Sequence, residues 1–285
     1  MTRVSRRRVL ALIGTAALAP LAARAQVDAG PYVPSPSMIV DRMLELGGVR
    51  GDDYLFDLGS GDGRIVITAA RRFGTRGYGV EIKPELVKLA TEQAARAGVA
   101  DKVRFERRDL FQTDLSEATV VTLYLLPGIV KDLVPKILAE MKPGARVVSH
   151  DYPLSPWTPD RFVQFDTEEK VPISGTTRTV LYLYTVPARV AGEWRAQVPG
   201  VKGPVVLAIA QHPVKTTASA TLAGRKVSLD DFTVRGETVR FSLPGVGPGG
   251  RPLVLEGRAA GDTIEGTVAS AGAPAAWRAV RAATK

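Results

Sequence analysis

The segment Phe56-Asp57-Leu58-Gly59-Ser60-Gly61-Asp62-Gly63-Arg64-Ile65 constrains this chain more than any other. An apolar run over 54–58 reads as a short strand, and the pattern over 64–73 reads as a helix. The backbone between them must turn sharply. Glycine permits this because it tolerates positive φ and has no Cβ to hold a ligand away. The turn also opens a helix, whose first N–H groups have no intrahelical partner. The spacing is G-x-G-x-G, whereas a dinucleotide fingerprint would set its third glycine at position 64, which is Arg64. The loop therefore suits a nucleotide-type cofactor other than a nicotinamide one.

Helix and strand patterns alternate around this loop from 32 to about 187. Ser35 or Ser37 is placed to cap a helix over 38–46, with Ile39, Val40, Met43 and Leu44 as its apolar face. Strands are expected over 77–82, 103–106, 120–125, 145–149, 161–166 and 178–185. Pro84 suits the first turn of a helix running to 96, with Gly98 just past its end, and a helix over 129–141 stops at Lys142-Pro143-Gly144. Alternation of this kind predicts an α/β domain, a mainly parallel sheet covered on both faces. After Pro187 the pattern becomes all-β, with short strands over 205–210, 219–222, 239–243, 253–257 and 263–268 and a glycine- and proline-rich loop over 244–252. A small antiparallel meander, open sheet or barrel is expected, joined near 188–192.

Acidic residues mark the ends of the first three strands. Asp57 precedes the glycine loop, Glu81 ends the second strand, and Asp109 follows the third, with Leu110 beside it. Glu81 is placed to accept hydrogen bonds from ribose hydroxyls and Asp109 from an adenine amino group, in a crevice at the carboxyl ends of the strands. S-adenosylmethionine (SAM) carries a sulfonium and an ammonium, which an acidic rim attracts, while a pyrophosphate would be repelled. The predicted cofactor is SAM.

Cysteine is absent, which excludes disulfides, thiolate nucleophiles and cysteine zinc sites. The net charge of +9 is unevenly spread. Residues 1–25 carry Arg3, Arg6, Arg7, Arg8 and Arg24 and no acid. Residues 26–187 hold 20 basic and 22 acidic residues, and 188–285 hold 13 and 7. The first domain is thus near neutral, which argues against nucleic-acid binding, and the second is basic, which leaves room for an anionic ligand there. Ser5-Arg6-Arg7-Arg8-Val9-Leu10, an apolar stretch over 9–22 and Ala23-Arg24-Ala25 have the order of a twin-arginine export signal. The organisation expected is an export signal over 1–25, a SAM-binding domain over 31–187 and an antiparallel β domain over 192–285, with no transmembrane span in the mature chain. The corresponding location is the periplasm or cell envelope.

Several segments carry a family resemblance. Pro31-Tyr32-Val33-Pro34-Ser35, the loop from Asp57 to Val66, Gly79-Val80-Glu81-Ile82, Asp109-Leu110-Phe111, Thr119-Val120-Val121-Thr122-Leu123-Tyr124-Leu125-Leu126-Pro127 and Val147-Val148-Ser149-His150-Asp151 resemble the class I lysine methyltransferases related to the ATP synthase c-subunit lysine methyltransferase. The resemblance implies a Rossmann-like, seven-stranded sheet with its last strand antiparallel. It implies that Asp57, Gly59, Ser60, Gly61, Glu81, Asp109 and Leu110 touch SAM, that Tyr32 and its neighbours cover the methionine end, and that Tyr124 sits beside the transferring methyl. The expected reaction is methyl transfer to an amine, a protein lysine or a small molecule, with Tyr124 and Tyr32 lining the channel and His150 or Asp151 positioning the acceptor. The export signal and the β region depart from the family. Because SAM is made in the cytoplasm, export and turnover are in tension, and an exported, non-catalytic binding protein on the same scaffold is the alternative expectation.

Overall fold

The continuously apolar runs become central strands buried on both faces, and the amphipathic segments become helices laid over them. The computed structural model describes residues 32–213, 215–268 and 274–283, so the export signal expected over 1–25 lies outside the described residues. The first part runs α1 (Ser37–Leu46), β1 (Tyr54–Leu58), α2 (Arg64–Phe73), β2 (Arg76–Glu81), α3 (Pro84–Arg96), β3 (Val103–Arg107), β4 (Val120–Leu123), α4 (Pro127–Glu140), β5 (Arg146–His150), β6 (Arg161–Asp166), α5 (Val171–Ser174) and β7 (Arg178–Thr185). Its seven strands lie in the order β3-β2-β1-β4-β5-β7-β6, with β7 antiparallel to both of its neighbours. This is the Rossmann-like arrangement expected.

One face is closed by α1 and α2, where Ile39, Val40, Met43, Leu44 and Val66 pack on Leu55, Val120 and Val148. On the other, Leu133, Val134 and Ile137 of α4 pack on Val121, Leu123 and Tyr184. Two local expectations are corrected. Pro36, not Ser35 or Ser37, occupies the N-cap of α1, and no side chain caps it. Ser37 already lies inside the helix, and the Ser35 hydroxyl is engaged elsewhere. Helix α4 starts at Pro127 rather than 129, since proline at the first helical position loses no hydrogen bond.

The second part is a nine-stranded antiparallel sheet built from β8 (Gly192–Gln197), β9 (Val205–Gln211), β10 (Thr216–Leu222), β11 (Arg225–Ser228), β12 (Thr233–Arg235), β13 (Thr238–Leu243), β14 (Leu253–Ala260), β15 (Thr263–Val268) and β16 (Ala275–Arg281). The order is β11-β10-β9-β8-β16-β15-β14-β13-β12, a meander whose first and last strands pair in the middle. Its edge strands β11 and β12 are joined by residues 229–232 alone. Those few residues reach at most about 18 Å, whereas nine flat strands would span about 38 Å. The sheet is therefore curled into a partly closed barrel around Trp194, Trp277 and Phe241.

Gly257 and Gly266 face each other across β14 and β15 and leave a floor for the Trp277 indole, whose Nε1 donates to Glu256 O at 3.0 Å. A Cβ on Gly266 would lie 2.0 Å from Glu256 O and 2.5 Å from Gly257 Cα.

The two parts meet at one end of the first sheet. Ala188 N donates to Gly236 O at 2.7 Å, a Cβ on Gly236 would lie 3.3 Å from Gly144 Cα, and Arg189 donates to the carbonyls of Leu138 and Ala139. Gly144 leads into β5 and residues 138–139 end α4, so the β domain abuts the amino ends of the parallel strands. Among the described residues no helix is long and apolar enough to cross a membrane. Gly266→Ala is expected to destabilise the protein by about 2–3 kcal/mol, because backbone rather than a flexible side chain must move. Urea unfolding followed by tryptophan fluorescence checks this, and an unchanged midpoint would refute the close approach.

Candidate functional site

At the carboxyl ends of the strands β1 has β2 on one side and β4 on the other, the switch point at which open α/β sheets bind ligands. A cleft opens there, lined by Tyr32 and Ser35 before α1, by Asp57, Gly59, Ser60, Gly61, Asp62 and Arg64 from β1 to α2, by Glu81, Lys83 and Leu86 after β2, and by Tyr124 and Leu125 after β4.

Asp57 is buried at the floor, and its Oδ1 accepts from Thr122 Oγ1 of the adjacent strand at 2.7 Å. Burial pushes its pKa up to about 7, the Asp62 and Glu81 charges adding to the rise and the Thr122 hydrogen bond opposing it. Glu81 is buried too. Its Oε2 accepts from Gly61 N at 3.0 Å and its Oε1 from Ile82 N and Lys83 N at 2.8 and 3.0 Å. Among the described residues neither acid has a cationic partner. Gly61 has φ +53°, and a Cβ on it would lie 2.4 Å from the Tyr32 ring. Ser60 Oγ is buried without a hydrogen bond.

The segment carrying Tyr32 to Ser35 straps over this loop. Arg64, the first residue of α2, donates from Nε to Asp62 Oδ1 at 2.9 Å, from Nη2 to Asp62 Oδ2 at 2.7 Å, and from Nη1 to Ser35 O at 2.9 Å. Burial opposes ionisation of Asp62, but its bonds to Arg64 outweigh that and hold its pKa below the usual carboxylate range. The sequence reading used Arg64 only to exclude a dinucleotide. Its clamp depends on residues 29 positions apart and carries no local signal.

Tyr124 follows β4, and burial raises its pKa to about 12, with Asp151 and Tyr152 adding to the rise. Tyr32, in the strap, is likewise raised to about 12, chiefly by burial. The structure thus gathers Tyr32, Asp57, Gly59, Ser60, Gly61, Glu81 and Tyr124 at one cleft. It does not bring Asp109, Leu110, His150 or Asp151 into that lining. Asp109 accepts from Phe111 N at 2.8 Å and borders a separate shallow depression with residues 106–108, and Leu110 is in the core. His150 is fully buried with its ring stacked on Tyr124 at 3.9 Å, and Asp151 is paired with Lys170. Thr122 and Lys170 are participants that the sequence reading passed over.

These features fit SAM. A floor of two carboxylates without cationic partners suits a ligand bearing a sulfonium and an ammonium, and a glycine whose missing Cβ would strike the covering ring suits close approach to the loop. Among the described residues no cluster could hold a metal ion.

Comparison with known proteins leads to the same place. A family model described as the ANTKMT methyltransferase domain matches residues 57–161. A protein-lysine N-methyltransferase of Saccharolobus islandicus is 40% identical over 157 residues, covering 55% of this chain and 93% of that protein. The mouse adenine nucleotide translocase lysine N-methyltransferase is 42% identical over 131 residues, 45% of this chain and 56% of the mouse protein. Among solved structures, an RNA methyltransferase from Salinibacter ruber in complex with S-adenosyl-L-homocysteine is 52% identical, with a TM-score of 0.50 over 55% of this chain and 96% of that one. On the strength of two near-complete matches, and with SAM as its cofactor, the chain belongs to the class I SAM-dependent methyltransferases.

Proposed function

We propose that the protein methylates an amine, that of a protein lysine, at the cleft between the Tyr32–Ser35 strap and Tyr124. The observation that carries this reading is a cleft floored by Asp57 and Glu81 without cationic partners, which favours a cationic cofactor and a cationic acceptor alike. The lysine N-methyltransferases at 40% and 42% identity support the acceptor class. In this reading Asp57, Gly59, Ser60, Gly61 and Glu81 hold the cofactor under Tyr32.

Bound SAM supplies a methyl group on a sulfonium, the electrophile of an in-line displacement. The chain supplies orientation and exclusion of water. A lysine acceptor arrives as an ammonium with an ordinary pKa of about 10.4 and must lose a proton first. Tyr32 and Tyr124 stay protonated near neutrality, so neither phenol is the base. The Tyr124 hydroxyl, which has no hydrogen-bond partner among the described residues, offers its lone pair to an acceptor N–H.

A second reading is favoured by one observation, the 52% identity to an RNA methyltransferase. The balance of 20 basic and 22 acidic residues over 26–187 weighs against it. Radiolabelled methyl transfer from SAM to poly-L-lysine and to total RNA distinguishes the two. Label in the peptide is the expected result, and label in RNA alone would overturn the lysine reading. Tyr124→Phe is expected to lower kcat about tenfold with little change in KM for SAM; unchanged turnover would remove its hydroxyl from the reaction.

Asp57 gives a pH dependence. A cation binds its ionised form, so SAM affinity is expected to weaken about tenfold per pH unit below about 7 and level off above it. Without ligand the sign reverses. The folded chain keeps a proton that the unfolded chain releases, so this group makes stability fall as pH rises from about 4 to about 7. Calorimetric titration at several pH values tests the first and thermal unfolding the second, and Asp57→Asn should flatten both. Location at the cell envelope, directed by residues 1–25, completes the proposal. Fractionation of tagged chains with Arg6 and Arg7 intact or replaced by lysine tests it, and cytoplasmic retention of both would overturn it.

A further inference from the structure

Next to Tyr124, outside the cleft lining, lies a buried polar chain that the proposed chemistry leaves unused. Lys170, from the connection between β6 and β7, is 2% exposed. Its Nζ donates to Asp151 Oδ2 at 2.6 Å and to Arg178 O. Asp151 has φ +60°, in the left-handed region that few residues other than glycine adopt. It is held there by its N–H donating to Val180 O at 2.7 Å and its Oδ1 accepting from Val180 N at 3.2 Å. His150 is fully buried, with Nδ1 3.1 Å from Ser35 Oγ and Nε2 without a hydrogen bond, 3.6 Å from Asp151 Oδ2. Its ring stacks on Tyr124 at 3.9 Å and 27°. Ser35 and Tyr124 both border the cleft.

A buried ion pair is rarely the most stable filling of its space, since apolar residues of similar volume often serve as well or better. Its distinctive effect here lies in what it does to the neighbouring imidazole. We propose that Lys170 is a positioning residue for the methyl-transfer end of the cleft: by pairing with Asp151 it keeps His150 in the form that accepts a hydrogen bond from Ser35 and stacks on Tyr124. The proposal rests on the methyltransferase reading of the cleft.

The tautomer that fits has its proton on Nε2, facing Asp151, which leaves Nδ1 to accept from the Ser35 hydroxyl. The groups around His150 are Asp151 beside it, Lys170 from the β6–β7 connection, Tyr124 after β4 and Tyr152 after β5, with Leu181 opposite on β7. Burial lowers the His150 pKa to about 4, with Asp151 pulling it up and Lys170 pushing it down. Without the lysine charge, Asp151 draws a second proton onto the ring and Nδ1 becomes a donor. Ser35 must then reverse its hydroxyl, and the strap that carries Tyr32 loses this anchor.

The test uses the full chain and S-adenosylhomocysteine, which binds without reacting. The chain has two histidines, His150 and His212, so NMR resolves each titration. In Lys170→Met the His150 pKa should rise by about two units, and affinity for S-adenosylhomocysteine should fall about tenfold relative to the unaltered protein at pH 5 yet stay within about twofold of it at pH 8.5. Lys170→Met combined with Asp151→Asn should restore both. An unmoved His150 titration, or an equal loss of affinity at both pH values in the single and double variants, would overturn the proposal in favour of a packing role. Should Lys170→Met not fold, the unaltered protein decides: S-adenosylhomocysteine must shift the His150 ring signals while those of His212 stay, and unresponsive His150 signals overturn the idea. Failure of the unaltered protein to bind at pH 8.5 would instead sink the cofactor reading, and the His150 titration would still decide the network.

Discussion

The reversal of strand order at β1 is the constraint on which the site depends. From β1 the chain moves outward to β2 and β3, then crosses back to place β4 on the other side. The connections leaving β1 and β4 therefore diverge, and the gap between them is the cleft. Asp57 stands at the floor of that gap, where burial alone would keep it protonated at neutral pH. Thr122 lies opposite it in the β1–β4 register and gives the carboxylate one hydrogen bond. One bond does not offset the desolvation, and the group is left with a pKa of about 7. The floor thus stays ready to ionise for a cation rather than being neutralised by a cation of the protein.

The opposite treatment of Asp62, five residues on, shows that this is a property of position and not of residue type. Asp62 is held ionised by Arg64, and the pair is spent on structure: it fixes the guanidinium that grips Ser35 O and so the strap. Ser35 is held from its other end by His150. One short segment before α1 is therefore anchored both to the glycine loop and to the end of β5, across the mouth from which a cofactor must enter.

Much of this architecture was legible in the sequence because it is local. Strand β1 and helix α2 were read to the residue, since an apolar run, a glycine turn and a 3.6-residue period lie side by side. The acids Asp57 and Glu81 were legible because strand ends announce themselves. What escaped is non-local or weakly patterned. Strands β8 and β16 carry alanine and arginine around one tryptophan each, a composition with little strand signal, and they are strands because they pair with each other and close the meander. Lys170 sits in a Glu-Glu-Lys run that carries no local signal, and only the turn after β6 brings it to Asp151.

The placement of the β domain limits what it can contribute. It meets the first domain at the amino ends of β5 and the turn at Gly144, while the cleft opens at the carboxyl ends, about 17 Å away along a five-residue strand. It cannot supply a side chain to the reacting atoms or act as a lid without leaving that interface. The rim of the cleft is formed instead by the strap and by the segment after β4, where Leu126 is 45% exposed beside Tyr124. An opening bordered by so little chain admits an acceptor held on a large molecule, as a protein lysine is, more readily than a sealed pocket would. The basic character of residues 188–285, 13 positive against 7 negative, therefore lies at a distance from the cleft, where its field reaches the reacting atoms only weakly.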